Sequence, residues 1–309
     1  MTTSRVLSIQ SHVVSGYVGN KAAVFPLQLL GLDVDVINSV QFSNHTGYSK
    51  GFKGSVMDGD GLDTLLTGLD ENGLLEDIQY VLTGYIGSAT FLAAIRNVIL
   101  RVKARTPNFR YLCDPVLGDH GKFYVPPELV DLMKSDIIPL ADIVTPNQFE
   151  VEQLTGVVIH SLTDAKKASV AFHDLGPSIV FLTSLEFPTA ETLGTLTIFA
   201  SQRKYSKDDT SSYHDEVYAI EVPKLQGAFT GTGDLTAALI LGHLHQHPDN
   251  LKLVMEKVIN TMQAVILKTS EITNACKDPK SAKARELRLI QSKSIIENPS
   301  TKHEARKVE

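Results

Sequence analysis

The sequence predicts an α/β fold, a three-layer α/β/α sandwich with a mostly parallel central sheet. Short apolar segments that suit strands alternate with longer segments of helical periodicity along most of the chain. Several of the helical segments reach ten residues or more, as connections between parallel strands require. No linker, repeat or low-complexity stretch interrupts residues 4–274, so a single domain is the simplest expectation.

The first half of the chain begins with three strand and helix pairs. The predicted strands are residues 6–9, 34–37 and 79–82, and the predicted helices are residues 20–30, 59–72 and 88–102. The third helix has the clearest pattern. Ser88 is a good N-cap, and the apolar residues after it recur at spacings of three and four, which places them on one face.

The second half continues the alternation and ends in two long helices. Residues 110–113, 142–144 and 179–182 suit strands, residues 195–200 and 216–222 suit a β-pair, and residues 232–245 and 248–274 suit helices. In a sheet of this kind, ligands bind beyond the carboxyl ends of the strands. We therefore expect the polar residues that follow each strand to converge.

Composition and charge exclude several classes of protein. The chain has 309 residues, a formal charge of −6 and a pI near 5.9, whereas nucleic-acid-binding proteins usually carry a basic face. We expect neither a membrane span nor a signal peptide, because no apolar stretch is long enough and the first residues lack an apolar core. Cys113 and Cys276 form no metal-ligand pattern and fit a reducing compartment, so a cytoplasmic location is expected.

Residues 277–309 differ from the rest of the chain. They hold nine Lys or Arg and five Asp or Glu, so this segment is basic while the remainder is acidic. It has no aromatic residue, and apolar residues are sparse after Ile296. The sequence thus predicts a domain over residues 1–276 and a basic, partly disordered C-terminal tail over residues 277–309.

The most informative motif is Phe-Thr-Gly-Thr-Gly-Asp at residues 229–234. Gly231 and Gly233 allow a tight turn and a close approach to a ligand, and the N–H groups at a helix start suit a phosphate. Asp234, in the first turn, is better placed to take a proton from a hydroxyl than to bind an anion. Phosphoryl transfer to an alcohol is the working hypothesis. The alternative is a tight loop in which Asp234 only caps the helix.

Two further motifs follow predicted strands. Asp114 and Asp119 supply carboxylates of the kind that Mg²⁺ prefers, although Asp-Pro and Gly-Asp are also common in turns. Asn147 and Glu150 lie three residues apart and share a helix face. They suit a phosphate and a metal-bound water, or equally a capping box that only begins a helix.

Six segments taken together resemble the pyridoxal kinase family, within the ribokinase-like superfamily. They are residues 11–20, 42–48, 83–85, 114–119, 145–150 and 229–234. The Gly-x-Gly-Asp and Asn-x-x-Glu motifs are specific only to the superfamily, whereas the first three segments resemble its vitamin B6 branch. The resemblance extends over residues 5–274.

The resemblance implies a ribokinase-like fold and ATP-dependent phosphorylation of the 5′-hydroxymethyl group of pyridoxal, and of pyridoxine and pyridoxamine, in vitamin B6 salvage. It implies that Asp234 is the catalytic base and that the amides of Gly231, Thr232 and Gly233 form an anion hole. The implied substrate-binding residues are Ser11, Val18, Phe42, Thr46, Tyr85 and Asp234. The implied ATP-binding residues are Asp114, Asn147, Thr183, Ser184, Leu225, Gln226, Gly227 and Thr232. The implied ligands of Mg²⁺, or another divalent cation, are Asp119 and Glu150, and those of K⁺ or Na⁺ are Asp114, Thr145 and Thr183.

The resemblance also implies a cytosolic homodimer whose small-molecule partners are pyridoxal and ATP. Thr232 and Phe229 stand where the superfamily more usually has Ala and Asp, a pattern that pyridoxal kinases share. The loop over residues 119–126, which would cover the nucleotide, is shorter than in many relatives. Two alternatives stay open: a hydroxymethylpyrimidine kinase of the same superfamily, and a non-catalytic protein that binds a B6 vitamer.

Overall fold

The computed structural model describes residues 4–187, 194–206, 212–225 and 227–309 of the chain. Within these residues, ten strands form one sheet in the order β12-β11-β10-β9-β8-β5-β4-β1-β2-β3, and β6 and β7 form a small hairpin. The strands are β1 (Arg5–Val13), β2 (Asp33–Phe42), β3 (Gly54–Val56), β4 (Ile78–Thr83), β5 (Arg110–Cys113), β6 (Gly118–Asp119), β7 (Lys122–Phe123), β8 (Ile143–Val144), β9 (Ile179–Leu185), β10 (Thr195–Tyr205), β11 (Tyr213–Pro223) and β12 (Arg306–Lys307).

The helices lie mostly between these strands. They are α1 (Asn20–Leu29), α2 (Gly59–Glu71), α3 (Ala89–Arg105), α4 (Leu129–Leu132), α5 (Gln148–Thr155), α6 (Leu162–Leu175), α7 (Thr232–Gln246), α8 (Leu251–Asn274) and α9 (Lys293–Glu297). The Ser88 side chain accepts a hydrogen bond from the Phe91 amide and begins α3, as its sequence predicts. The sequence patterns did not identify α6 or the short strand β3.

The centre of the sheet is parallel, and its edges are antiparallel. Strand β1 pairs in parallel with β2 and β4, and the parallel pairing continues from β4 through β5 and β8 to β9. Strands β10, β11 and β12 extend one edge in antiparallel fashion, and β3 ends the other edge. The prediction of a mostly parallel sheet is therefore confirmed.

Two apolar clusters cover the two faces of the sheet. Adjacent residues of β1 point to opposite clusters: Leu7 packs with side chains of α2, α3, α5 and α6, and Val6 packs with side chains of α1, α7 and α8. Because side chains alternate along a strand, a sheet buried on both faces reads as a continuous apolar run. The three-layer sandwich is confirmed. Within the described residues, no helix is long and apolar enough to cross a membrane.

The C-terminal segment corrects the expectation of a partly disordered tail. Leu287, Leu289 and Ile296 are fully buried and belong to the same apolar cluster as α1 and α8. Further along, Asn260 of α8 binds both the amide and the carbonyl group of His303, and β12 adds a strand to the sheet. The few apolar residues of this segment fall at positions that face the domain, so composition alone underestimates its packing.

Candidate active site

A cleft of about 750 Å³ lies beyond the carboxyl ends of the parallel strands. Polar residues near the carboxyl ends of β1 and β9, and just after β2, β4, β5 and β8, line it, as the rule for parallel sheets predicts. Of the residues identified in the sequence, those that line the cleft are Ser11, Val18, Phe42, Thr46, Tyr85, Asp114, Asp119, Thr145, Asn147, Glu150, Thr183, Ser184, Gly231, Thr232, Gly233 and Asp234. Leu225 and Gly227 are not among the lining residues, and Gln226 lies outside the described residues.

The glycine turn at the start of α7 forms one wall of the cleft. Gly231 is the N-cap of this helix, with a φ of 87°, a left-handed conformation that favours glycine. The first N–H groups of a helix have no partner within it, and they carry the positive end of the helix dipole. Since Thr232 and Gly233 line the cleft at this point, the turn is suited to an anion.

Asp234 stands in the first turn of the same helix, partly exposed to the cleft but enclosed by protein on its other sides. This enclosure raises the pKa of its carboxyl group, while hydrogen bonds from the amides of Gly19 and of Asp234 itself act in the opposite direction. A carboxylate with a raised pKa accepts a proton more readily than an ordinary one. Asp234 is therefore suited to general-base chemistry at this position.

Asp114 and Glu150 are two further carboxyl groups of the cleft, and they are 6% and 3% exposed. Burial, together with the charge of Asp234, raises the pKa of Asp114 to about 7. Burial and the charge of Asp114 raise the pKa of Glu150 well above its usual value. Among the described residues that line the cleft, none is Lys or Arg. Cations that bind here would relieve the mutual repulsion of these acids.

Glu150 forms the capping box that its spacing from Asn147 predicts. Its two carboxylate oxygens accept hydrogen bonds from the amides of Leu117 (3.0 Å) and Asn147 (2.9 Å), while the Asn147 side chain accepts from the Glu150 amide (3.0 Å). The Asn147 side chain also donates to the Gly118 carbonyl oxygen at 2.8 Å. Glu150 and Asn147 thus fix the turn that leads to Asp119, in addition to lining the cleft.

The oxygen atoms around this turn fit hard cations. The Asp119 side chain is 43% exposed and accepts from the His120 amide at 2.8 Å, so it can still take a cation. Nowhere in the described ranges do three His, Cys, Asp or Glu residues meet as a complete metal site. Mg²⁺ in kinases needs no such cage, because one or two carboxylates, water and phosphate oxygens hold it. The Thr145 hydroxyl, which donates to Asp114 at 2.9 Å, adds an oxygen suited to a monovalent cation.

The opposite half of the cleft is apolar and aromatic. Phe42 and Phe52 pack with ring centroids 4.5 Å apart, and Tyr85 and Val18 complete the wall. Ser11 brings a hydroxyl group to this half. A flat aromatic ligand with polar substituents suits such a surface, because the rings offer stacking area and the hydroxyls fix orientation.

Several lining residues were not among the predicted site residues, although some of them lie within the motifs described above. They are Val13, Val40, His45, Gly47, Phe52, Val116, Gly118, Tyr124, Phe229, Thr230 and Thr236. His45 and Tyr124 lie in two loops that the sequence singles out, residues 42–48 and 119–126, whereas Phe52 follows β2 by ten residues, so no strand-end rule points to it. Ser184 carries a signal that only the structure gives: its φ of 56° is unusual for a residue with a side chain and marks backbone strain at the cleft.

Comparisons with known proteins agree with this geometry. A family profile described as phosphomethylpyrimidine kinase matches residues 72–291. The pyridoxal kinase of Arabidopsis thaliana is 48% identical over 98% of this chain and 94% of its own length. The pyridoxal kinase of Homo sapiens is 43% identical over 96% of each chain. The chain belongs to the pyridoxal kinase family.

Solved structures support the same assignment to the pyridoxal kinase family. A Leishmania donovani pyridoxal kinase in complex with ADP and pyridoxamine matches with a TM-score of 0.88 and 35% identity, over 99% of this chain and 100% of that one. A Trypanosoma brucei pyridoxal kinase matches with a TM-score of 0.84 and 35% identity over the full length of both chains. The resemblance inferred from the six sequence segments is confirmed, and it extends through the C-terminal segment.

Proposed function

We propose that this chain is a kinase that transfers the γ-phosphoryl group of ATP to the 5′-hydroxymethyl group of pyridoxal, and also of pyridoxine and pyridoxamine, in vitamin B6 salvage. One observation supports this most directly: a single cleft is lined by aromatic side chains, by the helix start at Gly231 and by Asp234 in the first turn of that helix. The family membership supports the same reaction, because relatives with this name match nearly the whole chain.

Asp234 is the proposed general base. It accepts the proton of the 5′-hydroxyl group as that oxygen attacks the γ-phosphorus atom, and the bond between this phosphorus and the bridging oxygen of ADP breaks. The raised pKa of Asp234 brings its basicity closer to that of the reacting hydroxyl group in the transition state. The hydrogen bond from the Gly19 amide holds the carboxylate in place for this transfer.

The amides of Gly231, Thr232 and Gly233 are the proposed anion hole. Negative charge is distributed over the oxygens of the transferring group, and fixed N–H groups stabilise it without rearrangement during the reaction. Their position at the start of α7 adds the favourable helix dipole. The glycines of the turn suit this role, because the lack of a Cβ atom lets the backbone approach a phosphate group closely.

The remaining predicted residues divide between the two ligands. For the vitamer we propose Ser11 and Thr46 as hydrogen-bonding groups and Val18, Phe42 and Tyr85 as the frame around the ring. For ATP we propose a set that combines lining residues with the loop after β11: Asp114, Asn147, Thr183, Ser184, Leu225, Gln226, Gly227 and Thr232.

Cations are part of the proposal because the described lining of the cleft gathers buried acids and includes no Lys or Arg. Mg²⁺, when bound, supplies positive charge that neutralises the phosphate oxygens. Asp119 and Glu150 are the residues we propose to hold it. Asp114, Thr145 and Thr183 are proposed for K⁺ or Na⁺. A homodimer and a cytoplasmic location are also proposed, on the family resemblance.

Two other functions are less well supported. The profile match to phosphomethylpyrimidine kinase is compatible with a pyrimidine substrate. The relatives of high identity, however, are pyridoxal kinases. A non-catalytic vitamer-binding protein would not need Asp234 at the start of α7 in the same cleft as the aromatic side chains.

The test is a product assay with Mg-ATP, K⁺ and either pyridoxal or hydroxymethylpyrimidine. We expect pyridoxal 5′-phosphate from the wild type and strongly reduced product from Asp234→Asn. Faster phosphorylation of the pyrimidine would show that the protein is a hydroxymethylpyrimidine kinase instead. Tight binding of pyridoxal without any product would eliminate the kinase mechanism.

A further inference from the structure

A buried carboxylate from the C-terminal segment reaches the loops of the aromatic half of the cleft. Glu286 is 7% exposed, and its two oxygens have three partners. One oxygen accepts from the Tyr17 amide at 3.0 Å, and the other accepts from the Tyr48 hydroxyl at 3.1 Å and lies 3.3 Å from Nε2 of His45. We call Glu286 with these three partners the Glu286 clamp.

The two partners of the His45 ring determine which of its nitrogens carries the hydrogen. The Gly47 amide donates to Nδ1 of His45 at 3.1 Å, so Nδ1 is an acceptor and Nε2 carries the hydrogen that points to Glu286. His45 is therefore held on both sides, by its own loop and by the C-terminal segment. Thr46 lies between His45 and Gly47 in the chain, and all three residues line the cleft.

The contact with Tyr17 affects a second loop. Tyr17 lies between Gly16, whose φ of 107° needs glycine, and Val18, which lines the aromatic half. A side chain at Gly16 would also collide with Glu286, since an ideal Cβ there would lie 2.4 Å from its carboxylate. One carboxylate thus connects the loop after β1 with the loop after β2, and both loops contribute to the same half of the cleft.

The C-terminal segment is anchored well enough to act as a fixed point. Leu287, which follows Glu286 directly, and Leu289 are fully buried in the cluster that contains α1 and α8. Although burial alone would raise the pKa of Glu286, the hydrogen bonds from His45, Tyr17 and Tyr48 lower it overall. The carboxylate is therefore ionised at neutral pH and bound by all three groups.

We propose that Glu286 is a positioning residue for the vitamer: it holds the loops that carry Val18 and Thr46 in the conformation that binds the ring. This inference rests on the proposed function of the cleft. It assigns the C-terminal segment a part in substrate binding, in addition to its packing role. Among the described residues, no hydrogen bond or ion pair joins Glu286 directly to the glycine turn at Gly231 or to the acids of the metal side, so we expect its main effect on the loops that hold the vitamer.

The test compares Glu286→Ala and Glu286→Gln with Glu304→Ala, a control that removes an exposed carboxylate from the same segment. Glu286→Ala leaves three donors without their acceptor, and we expect KM for pyridoxal to rise about tenfold or more with KM for ATP changed less than about twofold. Glu286→Gln keeps the length and one acceptor oxygen, so it should recover part of the loss. Glu304→Ala should match the wild type.

Hydrogen exchange provides a readout that does not depend on turnover. In Glu286→Ala, the amides of residues 43–51 should exchange faster, while those of α7 and the parallel strands stay as in the wild type. An equal rise of both KM values, or unchanged exchange in residues 43–51 with an unchanged KM for pyridoxal, overturns the inference. If the wild type made no pyridoxal 5′-phosphate while exchange in residues 43–51 still depended on Glu286, the proposed function would fail and the clamp itself would stand.

Discussion

An ideal Cβ atom on Gly231 would lie 2.1 Å from the backbone carbonyl oxygen of Tyr17. The backbone of the glycine turn of α7 therefore lies directly against the backbone of the loop after β1 at this point. Because φ at Gly231 is also positive, both the space and the conformation require glycine at this position. The anion site and the vitamer side of the cleft depend on each other at this contact.

Gly231→Ala should reduce kcat/KM by about 10²-fold or more, because the turn must move and its amides leave the reacting phosphoryl group. Steady-state kinetics at saturating ATP would measure this. Gly73→Ala is the matched control: Gly73 also has a positive φ, of 69°, but nothing lies within 4 Å of its ideal Cβ. That control should lose about 1 kcal/mol of stability and keep its activity. Near-normal turnover by Gly231→Ala would contradict the anion hole.

Asp234→Asn should lower kcat by about 10²–10⁴-fold while pyridoxal still binds. Asparagine has nearly the same shape and can still accept from the Gly19 amide, but it cannot take the proton. Since the charge of Asp234 contributes to the raised pKa of Asp114, the substitution should also lower the pKa of Asp114 and leave stability unchanged or increased. Turnover assays, calorimetric titration with pyridoxal and thermal unfolding would check kcat, binding and stability in turn. A variant that stays folded with full turnover would exclude Asp234 as the base.

Local motifs in the sequence predicted the catalytic side of the cleft well. The capping box of Asn147 and Glu150 and the helix start at Gly231 each depend on residues within six positions, so their geometry follows from the chain itself. The capping box forms as its spacing predicts, whereas α7 begins at Gly231 without a side-chain cap from Asp234; the catalytic roles of these residues stay predictions. Glu150 caps α5 and also lines the cleft, because a helix that begins at the end of a strand points its first turn into the site.

Contacts between distant segments could not be predicted in this way. Glu286 lies more than two hundred residues from its partners His45 and Tyr17, and no local pattern marks it. The burial of Leu289 could not be predicted for the same reason, since an isolated apolar residue is buried only if the fold brings another surface against it. Leu225 and Gly227 were assigned to ATP binding by resemblance alone, and they are not among the residues that line the cleft.

Asp119→Asn should raise the Mg²⁺ concentration needed for half-maximal activity by about tenfold or more, because one of the proposed ligands loses its charge. Activity titrated with Mg²⁺ at fixed ATP would measure this. Asp131→Asn, on an exposed face of α4, is the control and should titrate like the wild type. Removal of divalent ions with a chelator should abolish turnover in all three proteins. An unchanged titration of Asp119→Asn would remove this residue from the proposed metal site.

Stability should decrease with acid through His243, a buried residue of α7. Burial, with a smaller contribution from the charge of Lys257, lowers the pKa of His243 to about 4. Its pKa in the unfolded chain is about 6.5, so the unfolded state binds more protons as the pH falls from above 6.5 towards 4. The stabilisation from neutral His243 is thus complete at high pH and is lost across this window, by about 2 kcal/mol between pH 8 and pH 5.

Denaturant unfolding of His243→Leu at several pH values would test this contribution. Between pH 8 and pH 5, the free energy of unfolding of the variant should fall by roughly 2 kcal/mol less than that of the wild type. His160→Leu, at an exposed position, should keep the pH dependence of the wild type. Parallel pH profiles for the wild type and His243→Leu would show that another group is responsible.

Leu289→Ala should destabilise the whole domain and not only its C-terminal end. Leu289 is 0% exposed, so its truncation removes buried apolar contacts and leaves a cavity, at a cost of about 2–4 kcal/mol. The neighbouring Ile290 is 52% exposed, and Ile290→Ala should cost less than about 1 kcal/mol. Urea unfolding followed by circular dichroism would compare the two, with one cooperative transition and an unchanged slope expected for both. Equal, small effects would mean that residues 277–309 add little to the core. A large loss in Leu289→Ala alone would establish this segment as part of the folding unit, which is also the condition for Glu286 to hold the loops of the cleft.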